Sequence, residues 1–192
     1  MSSNLKLFKA KMKRYRIASR SSTLSHAFAS ALAMVDTFDE STLAKKLEML
    51  GQAANEPMLC VYCFAPARTI DHLNGLVENS RYTGHGHVVG NLVPCCGQCN
   101  MSKGGKPWRE FAQLVGTPPE QIDRIATYES SAPVPVSEND LKRYYPDLMD
   151  AYERLRMLTQ DMLRAADSIA SEIQRLESDR LGRQSKTSDS AS

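Results

Sequence analysis

The chain has 192 residues, a net charge of +2, 42% hydrophobic residues and 24% charged residues. These values are typical of a folded protein with a sizeable core, because disordered chains carry fewer apolar residues and more net charge. No apolar run approaches the roughly 18 residues that a membrane span needs, and no secretory signal is recognisable. The sequence therefore predicts a soluble, cytoplasmic protein with no membrane partner.

The N-terminal region carries a block of positive charge. Seven lysines and arginines fall within the first 20 residues, and the first acidic residue is Asp36. Such a block attracts phosphate-rich partners, so we expect several of its residues to contact nucleic acid: Lys9, Lys11, Lys13, Arg14 and Arg16. A solvated basic arm and an organellar transit peptide are the alternatives that this composition leaves open.

Apolar residues at helical spacing dominate residues 1–56. They predict a short basic helix over residues 5–16 and a clearer helix over residues 23–35. A third helix is expected to begin at Asp39 or Ser41, which are suitable N-cap residues, and to end at the next glycine. Residues 1–56 are therefore interpreted as a basic N-terminal helical region.

Residues 57–116 differ in composition from both flanks, because they contain all five cysteines. Two β-prone runs, 68–73 and 87–93, flank a polar loop with glycines, which predicts a β-hairpin with a long connection. A helix is expected to follow from Cys96 or Gly97. The pattern predicts a small β-β-α unit in the middle of the chain.

Helix signals return in residues 117–181, which are interpreted as a C-terminal helical region. Thr117, followed by two prolines and Glu120, predicts a helix start with Thr117 as the N-cap. Residues 130–136 contain two prolines and predict a linker. A long helix is then expected over residues 146–180.

The long C-terminal helix carries a coiled-coil pattern. Nine positions alternate steps of four and three residues, and eight of the nine are apolar: Leu148, Tyr152, Leu155, Thr159, Met162, Ala166, Ile169, Ile173 and Leu176. We expect this seam to join two copies in a homodimer, and folding back on the N-terminal helices is the alternative. The serine-rich residues 182–192 are interpreted as a disordered tail.

The cysteines predict a metal site. An odd number of cysteines in close pairs argues against a disulfide framework. Cys60 and Cys63 form one Cys-x-x-Cys pair, and Cys96 and Cys99 form a second. Four thiolates complete a closed, tetrahedral structural zinc site. Cys95 could replace Cys96, but the two-residue gap between Cys96 and Cys99 is the usual spacing.

An Asp–His pair, Asp71 and His72, lies between the two cysteine pairs. Phosphodiester hydrolysis needs a base for water and a cation to stabilise charge on phosphorus. An imidazole, with a pKa of about 6.5, suits the first task, and a carboxylate suits a hard cation. Neighbours on a strand point to opposite faces, so the two side chains share a side only where the strand bends or ends.

Three runs follow one another in a fixed order: Asp71-His72, then Gly90-Asn91-Leu92-Val93-Pro94, then residues 96–103. In order, spacing and residue type they resemble the HNH, or ββα-metal, nuclease family. In that family a hairpin and a helix surround one catalytic divalent ion, and zinc knuckles often stabilise the unit. The resemblance covers residues 57–106 and implies an endonuclease that cuts DNA, with double-stranded DNA as the expected partner.

The resemblance implies a role for each matching residue. Asp71 and Asn100 would bind the catalytic Mg²⁺ or Mn²⁺, and His72 would be the general base. Asn91 would hold the histidine ring or its loop in place, and Lys103 would lie near the scissile phosphate. The implied fold class is α+β and mostly α-helical: a small zinc-stapled ββα-metal unit (57–116) between N-terminal helices and a long C-terminal helix.

Further basic residues and histidines are candidates for binding, and two functions other than a nuclease fit the sequence. Arg68, Arg81 and Lys106 are expected to contact phosphates. His85 and His87 are interpreted as exposed loop residues, with a phosphate or auxiliary metal contact as the alternative. The chain could instead be a non-catalytic zinc-stapled DNA-binding protein, or an assembly factor that acts through its C-terminal helix.

Overall fold

A computed structural model describes residues 16–20 and 22–189, with side chains described as far as residue 181. The helix predicted over residues 5–16 lies outside the described residues except for Arg16, and so do the expected contacts of Lys9, Lys11, Lys13 and Arg14. The chain divides into two compact units, one of Ser25–Met149 and one of Met1–Leu24 with Asp150–Ser192. No helix of the described segments is both long and apolar enough to cross a membrane.

Two α-helices precede the cysteine-containing segment among the described residues: α1 spans Thr23–Leu32 and α2 spans Glu40–Met49. The Asp39 carboxylate accepts a hydrogen bond from the Thr42 backbone at 2.6 Å, so the expected start of this helix at Asp39 is confirmed. Helix α1 ends earlier than expected, because the chain leaves the helix after Leu32 and pairs with a later loop instead.

The predicted hairpin is present in the central segment. Strand β1 (Thr69–His72) pairs antiparallel with β4 (Leu92–Cys95), and a smaller hairpin of β2 (Val77–Glu78) and β3 (Arg81–Tyr82) lies between them in sequence. Strand β4 begins later than the β-prone run 87–93 predicts. Residues 87–91 lie outside the ladder because His87 pairs with Val35 and the Leu92 N–H donates back to Val88.

Five helices follow the last strand: α3 (Gly97–Lys103), α4 (Trp108–Leu114), α5 (Pro119–Glu129), α6 (Glu138–Tyr144) and α7 (Pro146–Asp189), within the part of the chain that the structure describes. The described chain is therefore mixed α+β and mostly helical. Helix α6 was not expected from the sequence, although Ser137 and Asp140 form a capping box at its start. Helix α7 continues past residue 180 into the segment interpreted as a tail.

The start of α5 was predicted correctly, but its N-cap was not. Pro118 occupies the N-cap position, and the cap makes no side-chain hydrogen bond. The Thr117 hydroxyl is buried and donates to the Tyr62 carbonyl at 2.9 Å. A buried hydroxyl needs a partner, and here the partner comes from the cysteine-containing segment. Thr117 therefore joins α5 to that segment.

One hydrophobic core connects the cysteine-containing segment to the helices around it. The Tyr62 ring packs edge-on against Phe111, with 5.1 Å between ring centroids. Buried residues of α2, α4 and α5 lie in the same cluster as buried cysteines: Leu47, Trp108, Phe111, Ala112, Ile125, Tyr128, Cys60, Cys95 and Cys99. The β-β-α unit is thus packed against helices from both sides of the sequence rather than folded on its own residues alone.

Helix α7 leaves much of its predicted seam exposed. Leu155, Met162 and Ile169 are 59%, 65% and 63% exposed. Near the middle of the helix, the Asp167 carboxylate accepts hydrogen bonds from the backbone of Ile17 and Ala18 at 2.6 and 2.9 Å. This contact holds the short 3-10 helix of Ile17–Arg20 within the same unit.

The close approach of Gly86 to Met34 makes a stability prediction. A Cβ atom at Gly86 would lie 2.4 Å from the Met34 carbonyl oxygen, which is backbone and cannot rotate away. We expect Gly86→Ala to lower the free energy of unfolding by about 1–3 kcal/mol through overpacking. Urea denaturation of the full chain measures this.

Gly105→Ala is the matched control, because a Cβ at Gly105 meets nothing within 4 Å. Equal stability of the two variants would contradict the close packing of Met34 on the loop.

Candidate metal centre and candidate active site

Four cysteines come together as the two Cys-x-x-Cys pairs predict. The Sγ atoms of Cys60, Cys63, Cys96 and Cys99 all lie within 4.8 Å of one another. Zinc–sulfur bonds of about 2.3 Å in a tetrahedron place neighbouring sulfurs about 3.8 Å apart, and the Sγ atoms of Cys63 and Cys96 are 3.7 Å apart. The cluster can therefore hold a metal ion such as zinc in a closed, structural site.

Backbone hydrogen bonds shape the cluster on both sides. In the first pair, the Cys60 N–H donates to Ala65 O at 2.8 Å, and the turn closes through Phe64, which has a φ of 60°. In the second pair, Cys96 is the N-cap of α3, and its sulfur accepts from the Cys99 N–H at 3.4 Å. A sulfur that already faces backbone N–H groups is well placed to carry negative charge as a metal ligand.

The fifth cysteine, Cys95, lies beside the cluster. It is the last residue of β4 and is fully buried, with its Sγ 3.8 Å from that of Cys60. The cluster contains Cys96 rather than Cys95, which agrees with the expected spacing. Cys95 and Val93 alternate onto the inner face of the strand, so Cys95 becomes part of the core while Cys96 begins the helix.

The four cysteine sulfurs need a nearby positive charge if all of them are to be thiolates at once. Burial raises the pKa of the Cys63 and Cys99 thiols, and the hydrogen bond to Cys95 lowers the pKa of Cys60 to about 4. The protein by itself therefore stabilises the thiolate of Cys60 far better than those of Cys63 and Cys99. A divalent metal supplies the positive charge that allows all four sulfurs to ionise together.

Asp71 is buried in an ion pair with Lys103. The Lys103 Nζ lies 3.1 Å from Asp71 Oδ2, and it donates a hydrogen bond to the His72 carbonyl at 2.6 Å. Although the ammonium is close, Asp71 Oδ2 accepts no aligned hydrogen bond from the part of the chain that the structure describes. Lys103 is only 2% exposed. Its ammonium contacts Asp71 and the His72 carbonyl, whereas the resemblance implies that it would lie near the scissile phosphate.

His72 is the last residue of β1, and its side chain meets His87. The His72 Nε2 lies 2.9 Å from His87 Nδ1. Asp71, one residue earlier, contacts Lys103 on α3, so the two neighbouring side chains leave the strand in different directions. Burial, and next the neighbouring His87, lowers the pKa of His72, so its ring is neutral near pH 7.

Asn91 holds the loop next to His72. It is 1% exposed, and its Oδ1 accepts from the Asn74 N–H at 2.8 Å. Its Nδ2 donates to the carbonyls of Asn74 and Gly86 at 3.1 and 2.9 Å. A single buried amide thus satisfies three backbone groups from both ends of the long loop.

Asn100 lies on α3 and faces β1. Its Nδ2 donates to Thr69 Oγ1 at 3.2 Å and to Ile70 O at 3.4 Å. These contacts use the amide nitrogen and leave the amide oxygen available. Asn100 and Lys103 are three residues apart on the helix, and they contact the β1 stretch that contains Thr69 and Asp71. The expected ligand Asn100 therefore lies over the same strand as the expected ligand Asp71.

A cleft of about 790 Å³ with both polar and apolar lining residues is bordered by Leu73 and Asn74, which follow His72 in the sequence; His72 itself is not one of its lining residues. It is lined by Leu73 and Asn74 on one side and by the end of α3 on the other, and its cationic lining residues are Arg81, Lys103 and Lys106. Arg81 and Lys106 are exposed. Arg68 is exposed immediately before β1, and Arg16 is exposed in the other unit.

His87 is the site residue whose role the sequence did not indicate. It was interpreted as an exposed loop residue, but it is half-buried against His72. A residue that contacts another fifteen positions earlier through a loop carries no periodic signal, since only the folded loop brings the two rings together. The sequence placed His87 at the start of the β-prone run 87–93. That run predicts a strand, and it gives no indication of a contact with His72.

Comparison of the chain with known protein families, with curated proteins and with solved structures finds no match. The geometry by itself defines a mixed α+β protein with a four-cysteine cluster that can bind a metal ion.

The cluster makes a prediction about metal content. We expect the purified protein to contain zinc at one ion per chain, because four sulfurs complete the shell. Cys99→Ser should lose the metal and unfold the central unit, whereas Cys95→Ser should keep it, because Cys95 lies outside the cluster. Elemental analysis of the purified variants measures this.

Cys96→Ser completes the set. A Cys95→Ser variant without metal, together with a Cys96→Ser variant that retains it, would show that Cys95 is the fourth ligand.

Proposed function

We propose that the protein is a metal-dependent DNA endonuclease of the HNH, or ββα-metal, type, with its active centre at the end of β1. The observation that supports this most is the shared location of the expected residues. Asp71 and His72 lie at the end of β1, Asn91 fixes the adjoining loop, and Asn100 faces the same strand from α3. Antiparallel β1 and β4 followed by α3 form the β-β-α arrangement that the resemblance implies.

The donor set is compatible with a catalytic divalent ion. Mg²⁺ and Mn²⁺ prefer oxygen ligands and keep several waters. Asp71 offers a carboxylate whose buried Oδ2 is paired with the Lys103 ammonium but accepts no aligned hydrogen bond from the described residues, and Asn100 offers an amide oxygen. When bound, such an ion polarises the phosphate and stabilises the charge that develops on it. The buried Lys103 orients the Asp71 carboxylate and the His72 backbone rather than the substrate.

His72 is the proposed general base. Its ring is neutral near pH 7, because burial and the neighbouring His87 lower its pKa. A neutral imidazole can accept a proton from water as the water oxygen attacks phosphorus. Lys103 holds the His72 carbonyl, so the backbone of the base is fixed independently of its ring.

The zinc ion of this proposal is structural. Four thiolates leave no open coordination position for substrate or water. Its function is to hold the 60–63 turn against the junction of β4 and α3. The Val61 N–H, which donates to Pro94 O at 3.1 Å, supports the same junction.

The proposed nucleic-acid surface is the cleft bordered by Leu73 and Asn74, the two residues that follow His72 in the sequence. Arg81 and Lys106 place positive charge on its walls, and Arg68 adds charge beside β1. Lysine and arginine at such positions bind the phosphate backbone without reading its sequence. Double-stranded DNA is the proposed substrate, with the basic N-terminal residues as additional contacts.

One observation favours a binding protein without turnover as the second candidate. The Asp71–Lys103 ion pair already neutralises the proposed metal ligand. A divalent ion must compete with that ammonium for the carboxylate, and a protein that only binds DNA would keep the pair intact. Cleavage with Mg²⁺ or Mn²⁺ separates the two candidates, because the binding protein retards DNA in a gel but leaves it whole.

A homodimer through α7 is proposed as the working assembly. One site with one base hydrolyses one strand at a time, and two-fold symmetry supplies a second site. The exposed seam residues offer apolar surface at the spacing that two helices need. Leu155, Met162 and Ile169 lie at intervals of seven residues and are each more than half exposed.

The nuclease proposal predicts metal-dependent plasmid cleavage. We expect conversion of supercoiled DNA with Mg²⁺ or Mn²⁺ and none with EDTA. His72→Ala should lower the rate by about 10²–10⁴-fold, which is the usual contribution of a general base. Gel electrophoresis of the plasmid over time measures the rate.

His26→Ala is the control, because His26 is exposed on α1. Wild-type cleavage by the His72 variant, with zinc content unchanged, would remove His72 from the mechanism.

The dimer proposal predicts that a methionine-to-glutamate substitution has different effects at two positions of α7. Met162→Glu places a charge on the seam, and Met157→Glu places one off it, although both side chains are more than half exposed. We expect the Met162 variant to be monomeric at micromolar concentration, because a buried carboxylate opposes association, and the Met157 variant to stay dimeric. Light scattering measures both masses. A monomeric wild-type chain would contradict the dimer, and nicking would then be the expected activity.

A further inference from the structure

The rings of His72 and His87 share one hydrogen bond. The His72 Nε2 is 2.9 Å from the His87 Nδ1, and the ring planes meet at 63°. When both rings are neutral, only one proton lies between these two nitrogens, so one ring donates and the other accepts. The contact therefore occupies Nε2 of His72 and leaves Nδ1 as its nitrogen for other chemistry.

The backbone of His87 is fixed from two directions. Its N–H donates to Met34 O at 2.7 Å, and its carbonyl accepts from the Asp36 N–H at 3.5 Å. The preceding carbonyl, that of Gly86, accepts from the buried Asn91 side chain at 2.9 Å. Gly86 packs against Met34 with no room for a Cβ, which leaves little space for this part of the loop to move toward Met34. The backbone that carries the His87 ring is therefore held by contacts within the protein itself.

We propose that His87 is the positioning residue of the general base: it accepts a hydrogen bond from Nε2–H of His72 and so keeps Nδ1 of His72 unprotonated. This inference rests on the proposed nuclease function. In this arrangement both rings carry their proton on Nε2, which is the intrinsically more stable tautomer of neutral histidine. The reverse arrangement protonates Nδ1 on both rings and removes the lone pair that a base needs.

The hydrogen bond also persists through the reaction. When Nδ1 of His72 takes a proton from water, the water oxygen forms its bond to phosphorus and the leaving oxygen departs with its bonding electrons. The His72 ring is then an imidazolium whose Nε2–H still donates to His87, now as a charge-assisted bond. His87 therefore favours the protonated product of the transfer without touching the substrate.

Two substitutions of His87 separate positioning from packing. The oxygen of an asparagine at this position can replace Nδ1 as the acceptor, whereas leucine fills the space without one. We expect His87→Leu to lower kcat for plasmid cleavage by about 10–100-fold, the effect of a misplaced catalytic group, with KM for DNA unchanged. His87→Asn should stay within a few-fold of the wild type. Equal losses in both variants would overturn the role.

Nitrogen-15 NMR of the histidine rings tests the tautomer without any cleavage assay. At a pH where both rings are neutral, His72 should be protonated on Nε2 in the wild type and in His87→Asn, and a tautomer mixture should appear in His87→Leu. A protein that cuts DNA with His72 protonated on Nδ1 overturns the role of His87 alone. A protein with the expected tautomer that cuts no DNA overturns the proposed function, and the role with it.

Discussion

The four-cysteine cluster is the constraint on which the rest of the central unit depends. It joins a turn at residues 60–63 to the point where β4 ends and α3 begins. Because Cys96 is the N-cap of α3, the cluster fixes the direction in which that helix leaves the sheet. Asn100 and Lys103 face β1 only because the helix starts there. A two-stranded sheet and a seven-residue helix bury little apolar surface, so a metal is an economical way to hold them.

Asn91 holds together the two ends of the long loop of the hairpin, as the cysteine cluster holds the 60–63 turn against the start of α3. Its three hydrogen bonds connect Asn74, just after His72, to Gly86, just before His87. The two histidine rings therefore belong to segments that one buried amide holds together. The chain between α1 and α2 takes part as well, since Met34 and Asp36 hydrogen-bond to the backbone of His87. The connection between the two N-terminal helices is in this way part of the support of the candidate active site.

The buried pair of Asp71 and Lys103 gives the site its electrostatic character. Removing a carboxylate and an ammonium from water is costly, and mutual attraction offsets that cost only in part. A second cation at Asp71 would have to compete with the Lys103 ammonium for the carboxylate. Lys103 also donates a hydrogen bond to the His72 carbonyl, so the ammonium that neutralises Asp71 also fixes the backbone of His72. The candidate site thus combines a partly neutralised carboxylate, the proposed metal ligand, with a neutral imidazole on the adjacent residue, the proposed base.

Local patterns in the sequence determined the cysteine pairs, the hairpin, the start of α2 at Asp39 and the long C-terminal helix, because spacing and capping act over a few residues. Only the tertiary structure decided the partners of polar side chains. The sequence could not place Thr117 on the Tyr62 carbonyl, Lys103 between Asp71 and His72, or His87 against His72. Each of these contacts joins segments that are distant in sequence. Their geometry depends on how loops and helices close over one another, and that closure is a property of the whole packed core rather than of any local run of residues.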